Sequence, residues 1–172
     1  RFSQARWNVY SPWIKPNTDF IVTDFTNEHN PDETQDIHNM TYEDNSVDGL
    51  FCLAVMEHIK RPETAARELY RVLRPGGKAF VYVPFLYRYH ASPGEYGDFF
   101  RFTRDGLEFL FSDFKKVEIV NVRGVLESLL KFTPLYRFKI LVKVTRFFDE
   151  RVPRLKDRSR YQTSGFNIFV EK

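Results

Sequence analysis

The sequence predicts a doubly wound α/β fold built on a mostly parallel sheet. Three features carry that expectation. Strand-length apolar runs at 19–24, 47–54 and 78–83 lack the in–out alternation of a sheet with one wet face. Helical spacing fills the intervals between them, at 61–73 and again after the third run at 103–111. Sharp turn signals, Pro75-Gly76-Gly77 and Pro84, separate one pattern from the other. Strands alternating with helices bury both faces of such a sheet, and ligands then bind beyond the carboxyl ends of its strands.

Each element has its local reason. Asp19-Phe20-Ile21-Val22-Thr23-Asp24 is a β-branched run ending on an acid, a buried strand. Asn27 to Asp36 is polar, contains Pro31 and reads as a loop. Val47 to Ala54 is nearly continuously apolar, a strand covered on both faces. Arg61-Pro62-Glu63 sets a proline and an acid at a helix start, after which Ala65, Leu69, Val72 and Leu73 share one face. Lys78 to Val83 is a strand closed by Pro84, and 85–102 is a long aromatic loop. Thr103-Arg104-Asp105 opens a helix with Leu107, Leu110 and Phe111 on one side. Val117 to Val122 is a strand, and 125–148 is helical with a break at Pro134. Residues 149–164 show no clear periodicity and read as a polar, basic connector. Gly165 to Glu171 is a last strand, expected antiparallel at one edge of the sheet.

A length of 172 residues fits one domain, taken here as 1–172, with a substrate or lid loop at 85–102 and a basic helical insertion at 125–164. Hydrophobic residues at 42% and charged residues at 28% exclude disordered and fibrous classes. The single cysteine, Cys52, excludes an intrachain disulfide framework or a multi-cysteine zinc module. No apolar run is long enough for a membrane-spanning helix. Charge is uneven. Residues 1–50 carry a balance of −6 and residues 131–160 a balance of +7, so the two stretches serve different surfaces.

Several motifs stand in a fixed order: Val22-Thr23-Asp24, then Asp36-Ile37-His38-Asn39-Met40, then Ser46 to Ile59 with Val55-Met56-Glu57-His58 after the strand, then Arg71-Val72-Leu73-Arg74-Pro75-Gly76-Gly77. From about Asn17 to Phe111 the chain resembles the class I S-adenosylmethionine-dependent methyltransferases, specifically the small-molecule group called type 11. The stretch Pro84-Phe85-Leu86-Tyr87 through Arg101-Phe102-Thr103 looks like a subgroup from glycan and secondary-metabolite pathways. The resemblance implies a Rossmann-like methyltransferase fold. It also implies S-adenosylmethionine as cofactor and methyl transfer to an oxygen or nitrogen of a small molecule, a sugar, glycan or secondary-metabolite intermediate.

Carried residue by residue, the resemblance gives Asp24 to the cofactor ribose, Asp36 and Ile37 to its adenine, and Val55 to its methionine portion. A carboxylate ending a strand suits ribose hydroxyls, because it accepts from both; the plain alternative is a solvated strand-end acid or a helix cap. For Asp36 the alternative is an Asx turn. His58 is a candidate general base, since an imidazole titrates near neutrality. Glu57-His58 could equally just start the next helix, and an activated methyl needs positioning more than base catalysis. In the aromatic loop, Tyr87, Tyr89, Glu95, Tyr96 and Arg101 are candidates for substrate contact. His90 is a second catalytic candidate there, since His90 or Glu95 could remove a proton from a hydroxyl or amine. A lid whose tyrosines merely pack over the site explains the same residues. With four histidines at no convincing ligand spacing, the sequence predicts no metal.

Residues 131–160 mix basic charge with Phe132, Tyr136, Phe138, Phe147 and Phe148. They suit a peripheral membrane surface or a lipid-linked substrate, or simply a helix with a core face and a solvated basic face. A net charge of +3 argues against a broad nucleic-acid footprint, so an RNA methyltransferase is the weaker alternative. A non-catalytic, methyltransferase-like binding module is the other. The resemblance also implies a glycine-rich turn before the strand ending at Asp24, yet no glycine precedes Gly49 and Arg6 to Pro12 does not read as a strand. The first strand and first helix are therefore expected to lie upstream of Arg1. A cytoplasmic setting is expected.

Overall fold

The computed structural model describes residues 14–172. The reading of Arg6 to Pro12, and most of the glycine-free stretch before Thr18, fall outside the described residues. Contacts divide the chain into two compact units, Arg1–Thr41 and Tyr42–Lys172.

In the first unit, β1 (Thr23–Asp24) pairs in parallel with β2 (Glu33–Thr34), Thr23 opposite Glu33 and Asp24 opposite Thr34. The buried strand expected over 19–24 is thus reduced to its last two residues, and Ile21 is 41% exposed. The backbone explains this. Val22 N donates to the Asp32 carboxylate at 2.8 Å and Val22 O accepts from Asp32 N at 2.8 Å, so a loop residue satisfies groups that a longer ladder would use. The short β2 lies inside the segment read as a loop.

The second unit holds a four-stranded sheet in the order β3-β4-β6-β5. β3 (Val47–Leu53) and β4 (Leu73–Pro84) are parallel, in register from Gly49 opposite Lys78 to Leu53 opposite Tyr82. β6 (Gly165–Glu171) runs antiparallel to β4 on one side and to β5 (Lys116–Asn121) on the other. The fold is α/β with a mixed sheet, β3, β4 and β5 pointing one way. The last strand is antiparallel as the sequence predicts, but it lies one place in from the edge, which β5 occupies. Its central position is written in its side chains, since Phe166, Ile168 and Val170 are all buried. Phe51, Phe80 and Phe169 sit opposite one another on three adjacent strands. Their centroids are 6.2 and 4.8 Å apart, a cross-strand aromatic row.

Helices follow their predicted starts. α1 (Pro62–Val72) begins on its proline and buries Ala65, Ala66, Leu69 and Val72. Gly76, at φ +76°, supplies the left-handed residue at the Pro75-Gly76-Gly77 turn signal within the first part of β4. α2 (Arg104–Leu110) is capped by Thr103, whose hydroxyl accepts from Gly106 N at 3.1 Å, and it buries Leu107. The insertion comprises α3 (Val125–Leu130), a 3-10 turn at Pro134–Arg137, α4 (Lys139–Arg151) and α5 (Pro153–Ser159). The connector expected over 149–164 is therefore mostly helix. Its aperiodic sequence is explained by what it caps. Asp149 accepts from Leu126 N and Glu127 N at 3.0 Å each, and Ser159 Oγ from Val125 N at 2.9 Å. Together they satisfy the open N-terminus of α3. Among the described residues no helix is long and apolar enough to cross a membrane.

Candidate functional site

β3 and β4 are parallel neighbours, so their carboxyl ends open on the same side of the sheet. Past Leu53 the chain turns on Ala54, which takes a left-handed φ of +56° although it is not glycine, with Ala54 N donating to Tyr82 O at 3.0 Å. That turn drives the 3-10 segment Met56–His58 inward and buries Met56 and Glu57 completely. Past Pro84 the long loop folds back over this segment. Phe99 N and Phe100 N both donate to Glu57 O, at 2.8 and 3.3 Å.

The loop is braced by Asp98, whose side chain is fully buried. Arg101 donates to both of its oxygens, at 2.5 and 2.6 Å, and His90 N donates to Oδ2 at 2.9 Å. The Arg101 guanidinium holds the Asp98 carboxyl well below the usual carboxylate range. His90 Nδ1 lies 3.0 Å from Arg88 O and 3.2 Å from Asp98 Oδ2. His58 Nδ1 lies 2.6 Å from Gly97 O. The two imidazoles meet edge to face at 4.8 Å, with Tyr96 4.4 Å from His58 and Tyr87 5.2 Å from His90.

Beneath these rings lies the Glu57 carboxylate. It is entirely buried, and neither oxygen has a hydrogen-bond partner. Its Oε1 is 3.8 Å from His58 Nε2 and 3.7 Å from His90 Nε2. Burial pushes the Glu57 carboxyl above its ordinary range, partly opposed by the two imidazoles. Nearby Cys52, buried at the end of β3, has its thiol pushed up to about 12 by burial and then by the Glu57 charge.

The sequence candidates separate clearly against this geometry. His58, His90, Tyr87 and Tyr96 converge. Arg101 is consumed by Asp98 and by the carbonyls of Tyr87, Arg88 and Phe100, so it braces the loop and presents no open fork. Tyr89, 77% exposed, and Glu95 stay out of the cluster. Val55 is exposed beside the turn. In the first unit, Asp24 ends β1 and Asp36 follows β2 by two residues, both beyond the carboxyl ends of parallel strands. Asp24 Oδ1 accepts from Thr26 N at 3.2 Å. Asp36 Oδ1 accepts from His38 N at 2.9 Å and meets His38 Nδ1 at 2.8 Å, with Ile37 half-buried between them. The Asx turn at Asp36 is thus formed, and Asp24 likewise bonds the backbone two residues on. Carboxylates so placed also fit the hydroxyl and amino donors of a nucleoside. Glu57 lies in the Val55–His58 segment expected to border the reacting centre and Asp98 in the aromatic loop, but the sequence assigns neither a role of its own. The one sequence signal for Glu57 is an acid directly following an apolar strand and Met56.

Residues 15–81 match the family described as methyltransferase domain. No curated protein matches the chain. Among solved structures, a SAM-dependent methyltransferase from Archaeoglobus fulgidus shares 16% identity with a TM-score of 0.58, over 87% of this chain and 74% of that one. A SAM-dependent methyltransferase from Thermotoga maritima shares 14% identity with a TM-score of 0.50, over 81% of this chain and 63% of that one. Haemonchus contortus phosphoethanolamine N-methyltransferase 2, solved with S-adenosyl-L-methionine, shares 18% identity with a TM-score of 0.48 over 80% of this chain. The chain spans only 36% of that protein. The match over residues 15–81 and the shared α/β fold together bear out the resemblance of this chain to the class I S-adenosylmethionine-dependent methyltransferases.

Proposed function

We propose that the protein containing this chain transfers the methyl group of S-adenosylmethionine to an oxygen or nitrogen of a small molecule, a sugar, glycan or secondary-metabolite intermediate. The observation that carries this reading is the convergence of His58, His90, Tyr87 and Tyr96 beyond the carboxyl ends of β3 and β4. Ligands of such sheets bind there. Asp24 would accept from the ribose hydroxyls, Asp36 and the Ile37 backbone would hold the adenine, and Val55 would border the methionine portion. When bound, the cofactor supplies a methyl already activated by its sulfonium. The chain's share is then to orient the acceptor between the aromatic rings and hold the proton it loses. A cytoplasmic setting belongs to this reading and suits the lone, buried, unpaired Cys52.

Calorimetry of the full-length protein with S-adenosylhomocysteine tests the cofactor assignment. Binding is expected, and Asp24→Ala should weaken it roughly tenfold or more, the worth of one or two hydrogen bonds to a charged group. Unchanged affinity in that variant refutes the ribose role. Absence of binding at millimolar ligand would leave a non-catalytic binding module as the better reading, and strong salt-dependent RNA binding would favour an RNA substrate.

The insertion supports a second contact. Leu129, Phe132, Leu135, Phe138, Ile140, Phe147 and Phe148 are all exposed in a stretch rich in lysine and arginine. A basic surface carrying exposed aromatics fits an anionic lipid interface. Cosedimentation with phosphatidylserine vesicles, weakened by added salt and by Phe147→Ser with Phe148→Ser, is the expected result. Equal recovery with neutral and anionic vesicles contradicts it.

A further inference from the structure

We propose that Glu57, His58 and His90 form a binding site for one divalent first-row transition ion of the zinc, cobalt or iron(II) kind. One ligand atom from each residue lies within 4.8 Å of the others. Two separate observations say that a cation belongs between them. The first is the Glu57 carboxylate, wholly buried with both oxygens lacking any hydrogen-bond partner. A charge left so is strongly disfavoured unless paired or coordinated, and a carboxyl that took up a proton instead would bury its O–H without an acceptor. The guanidinium in this region, that of Arg101, is already committed to Asp98.

The second observation is the orientation of the imidazoles. His58 Nδ1 faces a carbonyl, Gly97 O, and His90 Nδ1 faces Arg88 O and the Asp98 carboxylate. Those acceptors place the ring proton on Nδ1 in both residues and leave a lone pair on Nε2. Both lone pairs then aim at the Glu57 carboxylate from 3.8 and 3.7 Å. Three electron-rich atoms converge with nothing positive between them. An imidazolium at 3.7 Å would pair with the Glu57 charge through space but would still leave both carboxylate oxygens without a hydrogen bond. Two atoms bound to one ion at ordinary ligand lengths stand only slightly closer than this. The contacts at Nδ1 are also the outer contacts by which proteins orient a ligating imidazole.

Two imidazole nitrogens and one carboxylate oxygen select zinc, cobalt, iron(II) or manganese over calcium and magnesium, which prefer oxygen throughout. Three protein ligands leave positions for water or a substrate atom. Resting on the methyl-transfer reading, this narrows the acceptor to an oxygen. A hydroxyl coordinated there would have its O–H bond broken at neutral pH, the electron pair staying on oxygen and the proton passing to solvent. His58 and His90 then act as ligands rather than as proton acceptors, and Tyr87 and Tyr96 flank the position of the acceptor.

The test uses the full-length protein freed of metal by a chelator and titrated separately with zinc and with cobalt(II), without any cofactor. One equivalent is expected to bind, with cobalt developing visible absorption bands. Glu57→Gln and His90→Asn should each weaken binding roughly tenfold or more, while Tyr89→Phe leaves it unchanged. Circular dichroism confirms that each variant is folded, and His58→Asn serves as the second probe of the same ligand set if Glu57→Gln is not. Absence of stoichiometric binding overturns the proposal, as does unchanged affinity in folded variants of two ligands. S-adenosylhomocysteine binding is measured in parallel. Metal bound without the nucleoside supports the site while defeating the transferase reading, and the reverse result defeats the metal site alone.

Discussion

Ala54 decides what Glu57 faces. A left-handed residue with a side chain is costly, and here it ends β3 in a turn that sends an acid into the interior rather than out to solvent. Cys52, two residues earlier, shares that interior. With its thiol pushed up to about 12 it stays protonated under ordinary conditions. Alkylation by a soluble thiol reagent should therefore be negligible in the native protein up to about pH 10 and complete on denaturation. Rapid native labelling would contradict its burial. At this scale the sequence was legible by type but not by partner. The chemistry of His58, His90, Tyr87 and Tyr96 is visible in one letter each. The chemistry of Arg101 is equally visible, but nothing in its neighbours announces that Asp98 takes both arms of its guanidinium.

Among elements, the insertion is the least legible and the most tightly cross-linked. Glu127 on α3 is buried and accepts from Arg123 at 3.2 Å and from Arg146 on α4 at 3.0 and 3.1 Å. Asp149 on α4 caps the start of α3. A Cβ at Gly124 would overlap the Asp149 carboxyl group. Gly124→Ala should accordingly displace that carboxylate, strand two amides and cost about 2–4 kcal/mol, read as a lowered melting temperature. Gly76→Ala provides the contrast. Its φ is +76° but its surroundings are open, so only backbone strain of about 1 kcal/mol is expected. Equal losses from the two substitutions would remove the capping argument. The helix starts at Pro62 and Thr103 were readable because their signals are local; the cap of α3 comes from residues far along the chain.

For the molecule as a whole, the two units differ in how their backbone is protected. Among the described residues the first has a two-residue parallel ladder, whereas in the second β4 and β6 each pair on both sides. Hydrogen exchange should be slowest at Ala79, Val81, Ile168 and Val170, and orders of magnitude faster at Thr23, Asp24 and Thr34. Uniform protection across both would refute this division. The sequence by itself determined the α/β class, the main strands and helices from Val47 to Leu110, and the direction of the final strand. All of these follow from hydrophobic period and turn chemistry within a few residues. Only the tertiary structure decided that β6 inserts between β4 and β5, that the aperiodic stretch 149–164 caps another helix, and that a buried, unpartnered Glu57 lies beneath two imidazoles. The physical reason is range. Periodicity reports which side of an element meets the core, while ligand sets, caps and strand neighbours arise from contacts between residues distant in the chain, whose spacing carries no signal.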